Sequence, residues 1–306
     1  MIGPLTEPPQ VGSGEFLTRF YESDAGRRDY KLYVPVGDRA KPRSLIVMLH
    51  GCTQSPDDFA IGTEMNALAD VHQFLVAYPA QTASANPSRC WNWYDPRHQR
   101  RGGEPSIIAG MVREIETLYA IDPRRIYAAG LSAGGAAAAV LGAAYPDVFA
   151  AIGVHSGLAR GDAHDLASAF SAMKGRPSAA TRGAGKSRQS ESPTRIPTIV
   201  FHGDRDRTVH PSNGERILDL NGAADLTPRV MRGCVAGGRA YTRTSYADAA
   251  GRPIHELWTV HGADHAWSGG AAPGTYTDPQ GPSASQEMIR FFLAHPRPEP
   301  VPALHD

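Results

Sequence analysis

Gly130-Leu131-Ser132-Ala133-Gly134 sets one serine between two glycines, where an apolar run (Arg125 to Ala129) gives way to an alanine-rich stretch (Ala133 to Ala144). A serine hydroxyl is a poor nucleophile until a base removes its proton. A strand, a tight turn and a helix are the setting that turns Gly-x-Ser-x-Gly into a nucleophile elbow. Side chains at either glycine would collide with the neighbouring strand or helix. The hydroxyl then stands at a helix N-terminus, where the dipole favours developing negative charge. A structural serine in a Gly-rich turn is the plainer alternative, and it requires no partners elsewhere.

Partners are present, in the chain order serine, acid, histidine that this kind of elbow uses. Thr198-Ile-Val-Phe201 runs into His202-Gly203-Asp204-Arg205-Asp206, and Trp258-Thr-Val260 runs into His261-Gly262-Ala263-Asp264-His265. Both polar turns follow predicted strands, at the carboxyl ends where open α/β sheets bind ligands. Spacing alone leaves Asp204 against Asp206 and His261 against His265 undecided.

The elements that must position these groups are readable from hydrophobic periodicity. Leu45 to Leu49, Phe74 to Tyr78, Arg125 to Ala129, Phe149 to Val154 and Thr198 to Phe201 are short continuous apolar runs, as strands buried on both faces should be; Glu256 to Val260 is a weaker sixth. Ile107, Ile108, Met111, Val112, Ile115, Leu118 and Tyr119 make one helix face. That helix is expected to stop near Asp122-Pro123, because proline disfavours the α region at the residue before it. Ala133 to Ala144 and Ser285 to Leu293 are further helices. Strands alternating with helices imply an α/β fold, a mostly parallel central sheet with helices on both faces.

One catalytic domain is expected over 16–296, between a loose N-terminal tail (1–15) and a Pro-rich C-terminal tail (297–306). Gly175 to Ser192 has almost no large apolar residue and reads as an exposed loop insertion. The 31 Lys and Arg balance 31 Asp and Glu, so no overall field favours nucleic acid or an anionic membrane. The short basic run Arg97 to Arg101 reads as a solvated loop face. No stretch nears the ~20 apolar residues of a membrane span. The first residues show no basic and apolar leader pattern, so the chain as numbered reads as cytoplasmic, or as secreted if a leader has been removed. Three cysteines (Cys52, Cys90, Cys234) exclude a disulfide-dense scaffold, and no Cys-x-x-Cys pair suggests zinc. No metal and no organic cofactor is expected.

Several blocks together resemble the polyhydroxybutyrate depolymerase-type esterases, in the α/β-hydrolase superfamily and the carbohydrate-esterase group that includes feruloyl and acetylxylan esterases. They are Leu49-His-Gly-Cys-Thr-Gln54, Cys90-Trp-Asn-Trp93, Gly103-Glu-Pro105, Ile121 to Arg125, Gly130 to Gly135, Tyr145 to Phe149, His202-Gly-x-x-Asp206-x-x-Val209 and Gly262-x-x-His265-x-Trp267-Ser-Gly-Gly270. The resemblance implies an α/β-hydrolase fold and assigns Ser132 as nucleophile, His265 as base and Asp206 as its orienting acid. Asp204, His202 and His261 then take structural roles. The backbone N–H groups of Cys52 and Ala133 would form the oxyanion hole. It also implies short-chain esters or hydroxybutyrate-type oligomers and polyester as substrates, cleaved through an acyl-enzyme.

Trp91 and Trp267 are candidates for lining the substrate pocket, Trp93 less so; packing of loops onto the core is the alternative use of such rings. A Cys52–Cys90 bridge is a hypothesis that rests on both cysteines lying in blocks bordering the site, and a reducing cytosol opposes it. Feruloyl or acetylxylan esterase activity with the same three residues is the nearest rival, and a non-catalytic binding protein on this scaffold the remote one. Since a histidine base works only when neutral, hydrolysis should fade below the ordinary imidazole range, ~6.5. Oligomeric state is not legible.

Overall fold

The computed structural model describes residues 13–176 and 195–299. Gly175 to Ser192, the expected loop insertion, lies almost wholly outside them. A ten-stranded sheet organises these residues. Its middle is parallel: β3 (Arg43–Leu49), β4 (Leu75–Pro79), β5 (Ile121–Leu131), β6 (Ala151–His155), β7 (Thr198–Gly203) and β10 (Pro253–Val260) lie in the order β4-β3-β5-β6-β7-β10. These are the six runs expected from the sequence, because both faces of each are covered by helices and every position is selected to be apolar. The edges are antiparallel: β1 (Glu15–Ser23) and β2 (Gly26–Val34) flank β4, and β9 (Ala240–Ala247) and β8 (Thr227–Cys234) flank β10. Periodicity misses these four strands. All but one residue of β8 is exposed, so neither of its faces selects an apolar alternation.

One core lies under α3 (Gly103–Leu118), α4 (Ala133–Ala144), α5 (Leu166–Met173) and α6 (Ser212–Leu220). The second, on the other face, lies under α1 (Pro56–Thr63), α2 (Met65–His72) and α7 (Ala284–Leu293). The expected face of α3 is buried at Ile107, Ile108, Met111, Val112 and Ile115, but Leu118 is exposed. The helix ends there rather than at Asp122-Pro123, since β5 already begins at Ile121 to pair with β3. The C-terminal stretch is docked as far as it is described: the Arg297 N–H donates to the Arg124 carbonyl at 2.8 Å. Among the described residues no helix is long and apolar enough to cross a membrane.

Candidate active site

β5 delivers Ser132 into a left-handed backbone conformation, φ 57° and ψ −119°, before α4 begins at Ala133. Few non-glycine residues tolerate that region, and such strain concentrates at functional positions. The two flanking glycines are required by contact. A Cβ on Gly134 would stand 2.0 Å from the Leu49 carbonyl oxygen, and one on Gly130 2.4 Å from the Gly134 carbonyl carbon. The Ser132 N–H is held by the His155 carbonyl at 2.9 Å, which fixes the turn against β6.

β7 and β10 run parallel side by side, so the turns that follow them meet. There the two acids and two histidines sort into two pairs. Asp206 Oδ2 lies 2.7 Å from His265 Nδ1, with the carboxylate fully buried and the imidazole 10% exposed. Asp204 Oδ2 lies 2.9 Å from His261 Nδ1, but both side chains stand well in solvent and His261 Nε2 is engaged by the Thr242 hydroxyl. Of the two pairs, the first is the one that contributes a lining residue to the serine's cleft. Ser132 and His265 line one cleft of about 510 Å³ together with Gly51, Cys52, Thr208 and Met173.

Asp206 is held by more than His265. Its Oδ1 accepts from the Thr208 and Val209 N–H groups at 2.9 and 2.8 Å, and His202 Nε2 lies 3.4 Å from Oδ2. Burial opposes the charged form. The hydrogen bonds from His202 and His265, the charge of His265 and the Val209 N–H outweigh it, holding the carboxyl well below the usual carboxylate range. An anion fixed on Nδ1 leaves Nε2 as the proton-accepting nitrogen, the tautomer that can serve a hydroxyl in the cleft.

The loop after β3 carries Cys52. Among the described residues neither the Cys52 N–H nor the Ala133 N–H has an intramolecular acceptor, as a site for an anion requires. The loop is anchored from several sides. Thr53 N–H bonds the Ser88 carbonyl at 2.8 Å, Gln81 N–H bonds His50 Nε2 at 3.1 Å, and Gly51 N–H bonds Gln54 Oε1 at 2.9 Å. A disulfide joins Cys52 to Cys90, the pairing hypothesised from the sequence. Beneath the Cys90 loop, the buried Glu104 carboxylate pairs with Arg28 at 3.1 Å and accepts from Gln81 Nε2 and from Asn92 N and Nδ2.

The expectation for Trp91 and Trp267 needs correction. Both are 1% exposed and neither lines the cleft. Trp91 donates to the His50 carbonyl at 3.0 Å. Trp267 donates to Ser285 Oγ at 3.0 Å and stacks on His155. Each indole is amphipathic and satisfies its N–H inside the fold, so these rings brace the loops instead of facing a ligand. Trp93 is likewise buried. The cleft is lined instead by Met173, Thr208, Asp264 and Tyr276, which the sequence reading does not single out. Tyr276 carries the one available signal: φ 51° at a non-glycine residue marks a constrained position, though only the backbone shows it. Among the described residues, no group of three or more His, Cys, Asp or Glu stands together to hold a metal.

The family model described as "Esterase PHB depolymerase" matches residues 28–236. The chain belongs to that family. Other members show how far the likeness extends. The poly(3-hydroxyalkanoate) depolymerase C of Paucimonas lemoignei is 35% identical over 83% of this chain and 60% of its own length. The poly(3-hydroxybutyrate) depolymerase of Ralstonia pickettii is 30% identical over 78% of this chain and 51% of its own. The chain therefore spans little more than half the length of these PHB depolymerase relatives. A probable acetylxylan esterase A of Aspergillus flavus is 28% identical over 68% of the chain and 69% of its own length. Among solved structures, an acetyl xylan esterase from Aspergillus awamori superposes with a TM-score of 0.67 at 20% identity, covering 92% of this chain and all of its own. The superposition shows that this chain shares the α/β-hydrolase fold of that esterase.

Proposed function

We propose that this chain is a serine esterase that cleaves carboxylic esters through an acyl-enzyme, with Ser132, His265 and Asp206 as its catalytic triad. The observation that carries this reading is the buried Asp206–His265 pair opening into the same cleft as the strained Ser132 elbow. In the proposed reaction His265 Nε2 takes the Ser132 proton as Oγ bonds to the ester carbonyl carbon. The resulting oxyanion lies between the N–H groups of Cys52 and Ala133, each worth ~3 kcal/mol in comparable sites. Collapse of this intermediate breaks the bond to the alcohol, which leaves with the proton from His265. Water then repeats the sequence on the acyl-enzyme, releasing the acid and restoring Ser132.

The relatives support short-chain and hydroxyalkanoate esters as substrates, as oligomers or as polyester. The acetylxylan esterase relative, matched over two thirds of both chains, supports acetylated xylan as the second reading. The Cys52–Cys90 bridge supports work in an oxidising compartment, against the cytoplasmic expectation.

A series of p-nitrophenyl esters of increasing acyl length, assayed alongside hydroxybutyrate oligomers, ferulate methyl ester and acetylated xylan, tests both activity and substrate class. Hydrolysis should be fastest with short acyl chains, should vanish in Ser132→Ala and should be stopped by a serine-directed phosphonate. Undiminished hydrolysis by Ser132→Ala overturns the reading.

A further inference from the structure

The peptide unit that joins Gly51 to Cys52 holds a carbonyl and an N–H in one trans plane, pointing opposite ways. Its N–H has no intramolecular acceptor among the described residues, and Cys52 lines the cleft beside Ser132. Its carbonyl is engaged, since His50 Nδ1 lies 2.7 Å from the Gly51 oxygen. The other edge of the ring decides where the proton sits. The Gln81 backbone N–H meets His50 Nε2 at 3.1 Å, and a backbone N–H can only donate. His50 is 1% exposed, and burial pushes its imidazole below the ordinary range, so the ring is neutral. A neutral ring that accepts at Nε2 carries its proton on Nδ1 and donates it to the Gly51 carbonyl.

The ring is held from further sides. The Gln81 side chain donates to buried Glu104 at 2.6 Å and to the Cys90 carbonyl at 3.1 Å, which fixes the residue whose N–H meets Nε2. Trp91 packs on the imidazole, ring centroids 5.7 Å apart. The serine elbow presses on the same backbone, as a Cβ on Gly134 would stand 2.6 Å from the His50 carbonyl oxygen. We propose that His50 is a positioning residue for ester hydrolysis: its Nδ1–H holds the Gly51 carbonyl and thereby aims and polarises the Cys52 N–H as an oxyanion donor. The inference rests on the esterase reading and deepens it, naming a side chain that acts only through the main chain. Two physical effects combine. Fixing the oxygen of a planar peptide fixes the N–H on its far side, so the donor needs no reorganisation as charge develops. Hydrogen bonds in series also strengthen one another, by roughly 10–30% per bond. His50 itself gives up no proton and touches no substrate.

Two substitutions in the full chain separate the two edges of the ring. His50→Asn can set an amide N–H near the Nδ1 position, where it serves the Gly51 carbonyl. His50→Gln can set its amide oxygen near the Nε2 position, where it serves only the Gln81 N–H. On a soluble p-nitrophenyl ester, His50→Asn should keep kcat within roughly threefold, whereas His50→Gln should lower it roughly tenfold or more with KM nearly unchanged. Affinity for a trifluoromethyl ketone, which forms an oxyanionic adduct with the serine, should fall in step with kcat. Circular dichroism and the melting temperature establish that each variant is folded. Equal kcat in the two variants overturns the proposal, as does a larger loss in His50→Asn than in His50→Gln. NMR of the unaltered chain with isotope-labelled histidine rings reads the tautomer without turnover and without a substitution. A proton on His50 Nδ1 supports the proposal, and one on Nε2 overturns it whether or not the variants fold. Ester hydrolysis that is absent from the unaltered chain, or that survives Ser132→Ala, overturns the esterase reading and the proposal with it. Serine-dependent hydrolysis that is indifferent to His50→Gln overturns the proposal alone.

Discussion

The Trp91 indole N–H donates to the His50 backbone carbonyl at 3.0 Å, two residues before Cys52, which lines the cleft. This bond ties the loop that carries the proposed oxyanion donor to a ring one loop away. Trp91→Phe keeps most of the packing and removes the donor, leaving a buried carbonyl unpaired at a cost of about 1–3 kcal/mol. The expected result is a kcat lowered roughly fivefold or more with KM nearly unchanged, since an oxyanion donor acts in the transition state. Steady-state kinetics on a soluble ester check it, and an equal rise in KM with constant kcat would contradict it.

Asp206→Asn should leave the fold in place and disable the base. An amide can donate to His265 Nδ1 and so favours the wrong tautomer, a change that lowered kcat about 10⁴-fold in a serine protease. Asp204→Asn, in the solvent-exposed pair with His261, should cost less than tenfold, as exposed ion pairs contribute little. Comparable losses from the two substitutions would refute the assignment.

Reducing the Cys52–Cys90 bridge, or replacing both residues by serine, frees a loop with a sequence separation of 38. Chain entropy puts the destabilisation at roughly 3–4 kcal/mol, which corresponds to a melting temperature lower by roughly 5–10 °C. Activity should fall as well, because Cys52 carries a proposed oxyanion donor. Calorimetry with and without reductant gives the first quantity and ester hydrolysis the second. An unchanged melting temperature under full reduction would show that the bridge contributes nothing.

Acid should weaken the fold before its carboxylates are protonated. His50, His155 and His255 are all buried, and burial is the largest influence lowering each of them, His255 to about 4. The unfolded chain takes up these protons below ~6.5 while the folded chain resists them, so stability falls as pH drops through that value. For His255 the loss levels off near its folded value of about 4. For the other two it continues for as long as they stay neutral. Melting temperatures between pH 7.5 and 4.5 should decline steadily, and His255→Gln should flatten the slope. A flat profile over that range would show that these imidazoles are already solvated.

Much of the site can be read in the linear chain because its determinants are local. Gly130 and Gly134 flank Ser132 within five residues, and the same five residues dictate the turn. The six parallel strands are likewise local statements, since a strand covered on both faces must be apolar throughout. Exposed elements escape such reading: β8 meets solvent on both faces and has no pattern to betray it.

Which acid meets which histidine, and which pair shares the cleft of Ser132, is decided by the tertiary structure. Asp204 meets His261 and Asp206 meets His265 at nearly the same distance, so proximity cannot distinguish them. Depth does: one pair is solvated, and the other lies beneath the cleft that Ser132 shares. The tryptophans teach the same lesson. Their place near the site follows from their loops, but whether an indole faces ligand or core depends on which distant group takes its N–H, here the His50 carbonyl for Trp91 and Ser285 for Trp267. The sequence determined the kinds of groups present and the turns that carry them. Depth and side-chain direction are properties of the packed whole, because they are set by contacts between residues far apart along the chain.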